Sequence, residues 1–139
     1  MFYGNYNRTN PLDEIEGYVL EAFANLRKAG FIARNKFSCC GGCAACEIAT
    51  DVEKKDKPIS GAVFTTRQDW KGKYSKTVYI KYGAVTLTSG RQFGFDSKTV
   101  GRAVVEACND AGLTVVWSGS TNECIEVHLP PTVANRFGR

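Results

Sequence analysis

Four cysteines lie within eight positions of this sequence, in the run FSCCGGCAACE at residues 37–47. Cys40, Cys43 and Cys46 are spaced as C-x-x-C-x-x-C, and Cys39 directly precedes them. Two-residue spacing lets neighbouring thiolates converge on one ion, and the small residues between them allow a tight turn. We therefore predict a metal site at Cys39, Cys40, Cys43 and Cys46, with zinc as the favoured metal. Cys40 and Cys43 form the leading ligand pair, and Cys39 is the third member.

Three other interpretations of this run stay open. An iron–sulfur site is one, because C-x-x-C-x-x-C begins the bacterial ferredoxin pattern, although Thr50 stands where the fourth cysteine is expected. A redox site is another, because Cys40-Gly41-Gly42-Cys43 is a formal C-x-x-C, although it does not open a predicted helix. The thiols can also stay unliganded in a glycine-rich turn. Because the adjacent Cys39 and Cys40 rarely both bind one ion, three cysteines of the run plus one ligand from elsewhere form a favoured alternative set. The candidates for the outside ligand are Cys108, Cys124 and His128.

These distant candidates have predicted positions of their own. Cys108 lies on the apolar stripe of a predicted helix, which indicates burial as a small hydrophobic residue. Cys124 shares an alternation with Glu126 and His128 that places all three on the strand face opposite the core. His128, the only histidine, is then an exposed strand residue. A Cys–His nucleophile would have to recruit His128 and orient it with Glu126, so nucleophilic catalysis has little support from the sequence.

A basic and aromatic stretch, RQDWKGKYSKTVYIKY, occupies residues 67–82. Positive charge beside exposed aromatic faces is typical of single-stranded nucleic-acid binding. The alternative is a solvated hairpin whose tyrosines cover the edge of the core. The candidate nucleic-acid-binding residues are Arg67, Trp70, Lys71, Lys73, Tyr74 and Lys76.

Two helices and several strands must position these residues. Apolar residues at helical spacing predict a helix over 11–29, which Gly30 ends. A second helix is predicted after a cap at Asp96 or Ser97, with Gly112 as its stop. Alternating and β-branched segments predict strands, and the cysteine run would connect the first two as a β-hairpin. The predicted strands cover 31–37, 47–52, 61–66, 77–82, 113–117 and 124–129, and residues 84–88 form another strand or a continuation of 77–82.

This order predicts an α+β fold with two helices packed on one face of a mostly antiparallel sheet, in the order α-β-β-β-β-α-β-β. The 139 residues fit a single domain over 1–139, and we expect residues 1–9 and 131–139 to be loosely held tails. Hydrophobic content of 43% and charged content of 23% are typical of a globular protein rather than a disordered one.

We expect a cytoplasmic location and no contact with a membrane. The N-terminus MFYGNYNRTN lacks the apolar run of a secretory signal, and no stretch approaches the roughly 18 apolar residues of a membrane span. Thiols stay reduced in the cytosol, where clustered cysteines bind metal or do redox work more often than they form structural disulfides. A net charge of +4 permits an anionic partner without requiring one.

Several segments together resemble a family of small uncharacterised bacterial and phage proteins that carry a domain of unknown function. The resemblance runs through GFIARNKFSCCGGCAACEI, AVFTTRQDW, YIKYG, VGRAVVEACNDAGLTVVWSGS and IEV. It implies that Phe37, Cys39, Cys40 and Cys43 form a Phe-x-Cys-Cys-x-x-Cys hallmark. It also implies accompanying polar positions at Glu47, Gln68 and Asp69, of which Glu47 and Asp69 are candidates to face a ligand. The sequence departs from the family at Ala44-Ala45-Cys46, where relatives often have a Gly-His pair and then a small residue. The resemblance implies no activity.

Together these observations predict a small binding or regulatory module with a cysteine-rich, zinc-stabilised hairpin, rather than an enzyme. The alternatives are a nucleic-acid-binding protein that uses residues 67–82 and a thiol redox protein. The partner would be nucleic acid or another protein.

Overall fold

The computed structural model of the protein describes residues 11–37, 48, 59–70, 77–86 and 92–130. Within these ranges the chain forms two α-helices, seven strands and a short 3₁₀ helix. The helices are α1 (Pro11–Lys28) and α2 (Ser97–Ala111), and the 3₁₀ helix is Arg67–Trp70. The strands are β1 (Ile32–Arg34), β2 (Ala62–Phe64), β3 (Thr77–Gly83), β4 (Val85–Thr86), β5 (Gln92–Phe93), β6 (Thr114–Val116) and β7 (Ile125–His128).

Five strands form the main sheet in the order β1-β2-β3-β7-β6, and β4 pairs with β5 in a separate ribbon. The pair β1–β2 is parallel, and the other pairs of the main sheet are antiparallel. Both helices pack on one face of this sheet, which confirms the predicted α+β class. We call the face that carries the helices the inner face and the opposite one the outer face.

Both helices end where the sequence predicts. The α1 helix has Asp13 and Glu14 in its first turn and ends before Gly30, whose φ of 98° is left-handed. In α2 the Asp96 carboxylate accepts a hydrogen bond from the Thr99 backbone N–H, as an N-cap does.

The core lies between the two helices and the inner face. Strand alternation sends Val78 and Ile80 of β3 into it, together with Ile125 and Val127 of β7, and all four are fully buried. The α1 helix contributes Phe23 and the other apolar residues of its inner stripe. Burying each such side chain contributes about 1.5–3 kcal/mol, so this face supplies most of the driving force for folding.

The α2 helix approaches the sheet closely at Gly101. A Cβ atom at this position would lie 2.7 Å from the ring of Trp117 and 2.9 Å from that of Tyr82. The two rings meet edge to face at 5.6 Å, and the Trp117 indole N–H donates to the Tyr82 hydroxyl at 2.9 Å. Glycine is therefore required here by space, and the helix is fixed against β3.

A second, smaller apolar cluster covers part of the outer face. It consists of Ile48, Ala62, Phe64 and Val85, with Ile32, Phe37 and Ile59 packed against it. The predicted strand over 47–52 is wrong at Ile48, which is helical, and the rest of that range lies outside the described residues. Among the described strands, β1 pairs with β2. The burial of Ile48 against the outer face explains why an apolar residue occurs there without being part of the sheet.

Candidate functional site

The four predicted metal ligands, Cys39, Cys40, Cys43 and Cys46, lie outside the described residues, as does Glu47. We call residues 38–47 the cysteine segment. The described residues on either side of it, Phe37 and Ile48, belong to the same outer apolar cluster. The two residues that flank the cysteine segment thus pack in one apolar cluster on the sheet.

The leading end of the segment is fixed by backbone and ring contacts. The Phe37 backbone N–H donates to the Thr65 carbonyl oxygen at 2.8 Å, and the Thr65 N–H donates to the Arg34 carbonyl oxygen at 3.0 Å. The Arg34 guanidinium lies 4.6 Å from the centre of the Phe37 ring. Between them Lys36 has a φ of 53°, a left-handed conformation that needs such support. The chain therefore leaves β1 in a defined direction.

Thr65 is the centre of this support. Its hydroxyl accepts hydrogen bonds from the Lys36 backbone N–H at 2.8 Å and from the Trp70 indole N–H at 2.9 Å. It donates to the Asn35 side-chain oxygen at 2.7 Å. A hydroxyl has one proton and two lone pairs, so all of its bonding capacity is used. Thr65 has no exposed surface, and a fully satisfied buried polar group of this kind specifies one local structure.

The same network reaches α1. The Asn35 side-chain amide donates to Glu16 Oε2 at 2.7 Å, and Lys36 Nζ lies 3.0 Å from both Glu16 carboxylate oxygens. Lys36 Nζ also lies 5.4 Å from the centre of the Trp70 ring. We call Glu16, Asn35, Lys36, Thr65 and Trp70 the Thr65 clamp. It joins the helix, the carboxyl ends of β1 and β2, and the 3₁₀ helix at the point where the cysteine segment starts.

Asp69 is the next polar residue along this edge. Its Oδ2 accepts from the Thr66 backbone N–H at 2.7 Å and from the Thr66 hydroxyl at 3.0 Å. Its Oδ1 forms a salt bridge with Lys81 at 2.5 Å, and its side chain is only 8% exposed. Both carboxylate oxygens therefore bind protein donors and hold the 3₁₀ helix against β3.

Two of the candidate nucleic-acid-binding residues, Arg67 and Trp70, lie at the two ends of the 3₁₀ helix. Arg67 is exposed, whereas Trp70 is half-buried against the core and uses its indole N–H in the Thr65 clamp. Lys71, Lys73, Tyr74 and Lys76 lie outside the described residues. Trp70 thus has a structural role, whether or not its exposed part also binds nucleic acid.

A family model described as "Domain of unknown function (DUF6891)" matches residues 18–132. The chain belongs to this family. The match includes the cysteine segment and every member of the Thr65 clamp except Glu16. Comparison with the curated proteins gave no match, and comparison with the solved structures gave none either.

Two further thiols of this DUF6891 protein are described, and they differ in environment. Cys108 is fully buried in α2, and burial raises the pKa of its thiol to about 12. Cys124 is exposed, just before β7.

Among the described residues no group of three or more histidine, cysteine, aspartate or glutamate side chains is arranged to hold a metal ion. The described part of the chain also contains no helix with the length and apolar character of a membrane span.

The outer face carries a chain of three polar side chains on β3 and β7. Glu126 Oε2 lies 2.5 Å from His128 Nε2, and His128 Nδ1 lies 3.0 Å from the Thr77 hydroxyl. Alternation in the sequence placed Glu126 and His128 on one strand face, and their neighbours Ile125 and Val127 are buried as expected. The hydrogen bond between Thr77 and His128 could not be predicted from the sequence, because it depends on the pairing of β3 with β7, which places Thr77 opposite His128.

A cavity of about 330 Å³ opens on the outer face beside the smaller apolar cluster. Its walls include Ile48, Phe64 and Val85 together with the backbone around Gly83 and Ala84. It therefore lies next to the residue that follows the cysteine segment.

Proposed function

We propose that this protein is a cytoplasmic binding module whose cysteine segment holds one zinc ion through Cys39, Cys40, Cys43 and Cys46. The observation that carries the proposal is the attachment of Phe37 and Ile48 to one apolar cluster. Collecting ligands from a free chain costs loop-closure entropy, and a segment whose ends are already together avoids much of that cost.

The Thr65 clamp supports the same conclusion. A metal site needs ligands whose supporting residues are locked by packing and hydrogen bonds. The clamp supplies such support within two residues of Cys39, because it fixes the backbone of Lys36 and Phe37. The Phe-x-Cys-Cys-x-x-Cys spacing starts directly from that fixed point.

The described thiols favour a ligand set within the cysteine segment. Cys108 is buried, and its raised pKa opposes the thiolate that zinc requires. Cys124 and His128 adjoin or belong to β7, which is separated from β1 by β2 and β3. Three strand spacings amount to about 14 Å, so neither residue lies beside the point where the segment starts.

The test is the zinc content of the full chain purified without chelator. We expect one zinc per chain, its loss in Cys40→Ser and Cys43→Ser, and its retention in the control Cys124→Ser, whose thiol is exposed but outside the segment. Removal of zinc by a chelator should lower the melting temperature, because the metal binds the folded state. Native protein without metal, whose melting a chelator leaves unchanged, would refute the proposal.

The same preparations separate zinc binding from thiol redox chemistry. If Cys40 or Cys43 is a redox thiol, one of them is alkylated much faster than Cys124 at neutral pH in metal-free protein. If zinc is bound, alkylation of both is slow until the chelator is added.

Nucleic-acid binding is the second candidate, and the exposure of Arg67, four residues before the basic residues of 71–76, favours it. It predicts an affinity for single-stranded DNA or RNA that falls steeply with salt. Replacement of Lys71, Lys73 and Lys76 by glutamate should weaken binding, and affinity that ignores both changes would exclude this function.

A further inference from the structure

The outer face of β3, β7 and β6 presents two rows of side chains, defined by strand register. In one row Thr77 and Thr114 flank His128, and in the next row Tyr79 and Val116 flank Glu126. The hydrogen-bonded chain Glu126–His128–Thr77 crosses both rows. This polar chain is separate from the start of the cysteine segment, which follows β1, three strands away from β7 in the sheet.

The direction of the protons in this chain follows from the chemistry of its members. An ionised carboxylate can only accept hydrogen bonds, so the contact with Glu126 places the imidazole proton on Nε2. The Nδ1 atom of a neutral imidazole then has a lone pair, and the Thr77 hydroxyl donates to it. A hydroxyl hydrogen-bonded to a base that a third group orients is the signature of an activated nucleophile.

The surroundings leave this chain accessible to a small molecule. Thr77, Glu126 and His128 are each half-buried rather than sealed in the core. Tyr79 is 47% exposed and Val116 is 53% exposed, and they form apolar surface on both sides of Glu126. An apolar acyl group can therefore lie beside the polar chain with its carbonyl carbon near the Thr77 hydroxyl.

We propose that Thr77, His128 and Glu126 form an acyl-transfer site that acts on small esters. Thr77 Oγ1 bonds to the ester carbonyl carbon while its proton passes to His128 Nδ1 and then to the departing alcohol oxygen, whose bond to carbon breaks. Water then attacks the acyl-threonine and gives its proton to His128, which returns it to the Thr77 oxygen as the acid leaves. The sum is an ester and water converted to an acid and an alcohol, with no redox change. Glu126 is a positioning residue for His128.

The probe is p-nitrophenyl acetate, incubated with the full chain. We expect release of p-nitrophenolate and one acetyl group on Thr77, located by tandem mass spectrometry of peptides. Peptide mapping is needed because cysteine and lysine side chains also accept acetyl groups. An acetyl group found only on cysteine or lysine would overturn the proposal.

Thr114 provides a matched control, because it faces the same histidine from β6. General-base assistance contributes about 10²–10⁴-fold, so Thr77→Val and His128→Gln should each lower the acylation rate at least tenfold, whereas Thr114→Val should not change it. Thr77→Ser keeps the hydroxyl and should keep the activity, which guards against loss through misfolding. Equal rates in Thr77→Val and Thr114→Val would refute the assignment.

Glu126→Gln tests the positioning role. The amide can either accept from or donate to His128 Nε2, so it no longer selects one imidazole tautomer. We therefore expect a lower maximal rate with an unchanged half-saturating ester concentration and an unchanged melting temperature. A change in half-saturation or melting without a change in maximal rate would show a structural role instead.

Discussion

Replacement of Thr65 by valine is the sharpest test of the Thr65 clamp. Valine keeps the shape of threonine but removes the hydroxyl, and with it three hydrogen bonds to Asn35, Lys36 and Trp70. Two partly buried donors and one acceptor then lose their partner. A lost bond of this kind costs about 1 kcal/mol when water can partly replace it, so we expect a loss of about 2–4 kcal/mol in the free energy of unfolding.

Thr66 is the matched control because it is adjacent, identical in type and equally buried. Its hydroxyl makes one described hydrogen bond, to Asp69, and Asp69 keeps its bonds to the Thr66 backbone and to Lys81 in Thr66→Val. We expect this variant to lose only about 1 kcal/mol. The difference between the two variants should therefore be about 2 kcal/mol.

Urea unfolding of both variants measures the difference directly. With a slope of about 2 kcal/mol per molar urea, the midpoint of Thr65→Val should lie about 1 M below that of Thr66→Val. Circular dichroism should follow the transition, since Trp70 fluorescence is itself altered by loss of the clamp. Midpoints that agree within about 0.25 M would show that the three bonds do not act as argued.

Three further predictions concern other parts of the chain. Gly101→Ala should destabilise the protein by about 1–3 kcal/mol, because its Cβ would meet an aromatic ring at 2.7 Å. Gly17→Ala, whose Cβ would have no atom within contact distance, should stabilise it by about 0.5–1 kcal/mol. Thermal melting of both variants tests this, and equal shifts in melting temperature would contradict it. Hydrogen bonds from Thr99 lower the pKa of Asp96, so its contribution to stability is present above the ordinary pKa of aspartate and is lost as pH falls through the lowered value; Asp96→Asn should show a shallower loss of stability between about pH 4 and pH 2. The Cys108 thiol, whose pKa is raised to about 12, should resist alkylation at pH 8 until the chain unfolds, while the exposed Cys124 thiol reacts at once. Rapid labelling of Cys108 in the folded protein would contradict its burial.

The helices could be read from the sequence because their signals are local. Gly30 and Gly112 both have left-handed φ angles, and Asp96 caps α2 as predicted. The alternation of β3 was equally visible, since Val78 and Ile80 are buried while Tyr79 is exposed. These features depend on residues within about one turn or one strand of each other.

The parts that could not be predicted depend on pairing between distant segments. The parallel pairing of β1 with β2 brings Asn35 and Thr65 together across 30 residues, and nothing in either local pattern indicates it. Thr65 resembles an ordinary β-branched strand residue, and Trp70 resembles an exposed aromatic residue in a basic stretch. Their hydrogen bond is visible only once the 3₁₀ helix folds back on the strand end.

The central place of β3 has a consequence for the synthesis of this protein. One of its neighbours, β2, precedes it in the chain, but the other, β7, follows only after α2 and β6. A ribosome adds about 5–20 residues per second, so one edge of β3 stays without its partner for seconds after it has been made. An unpaired strand edge is a template for aggregation, and here it carries Tyr79 on its outer face. The yield of soluble protein should therefore depend on how quickly the last third of the chain is translated.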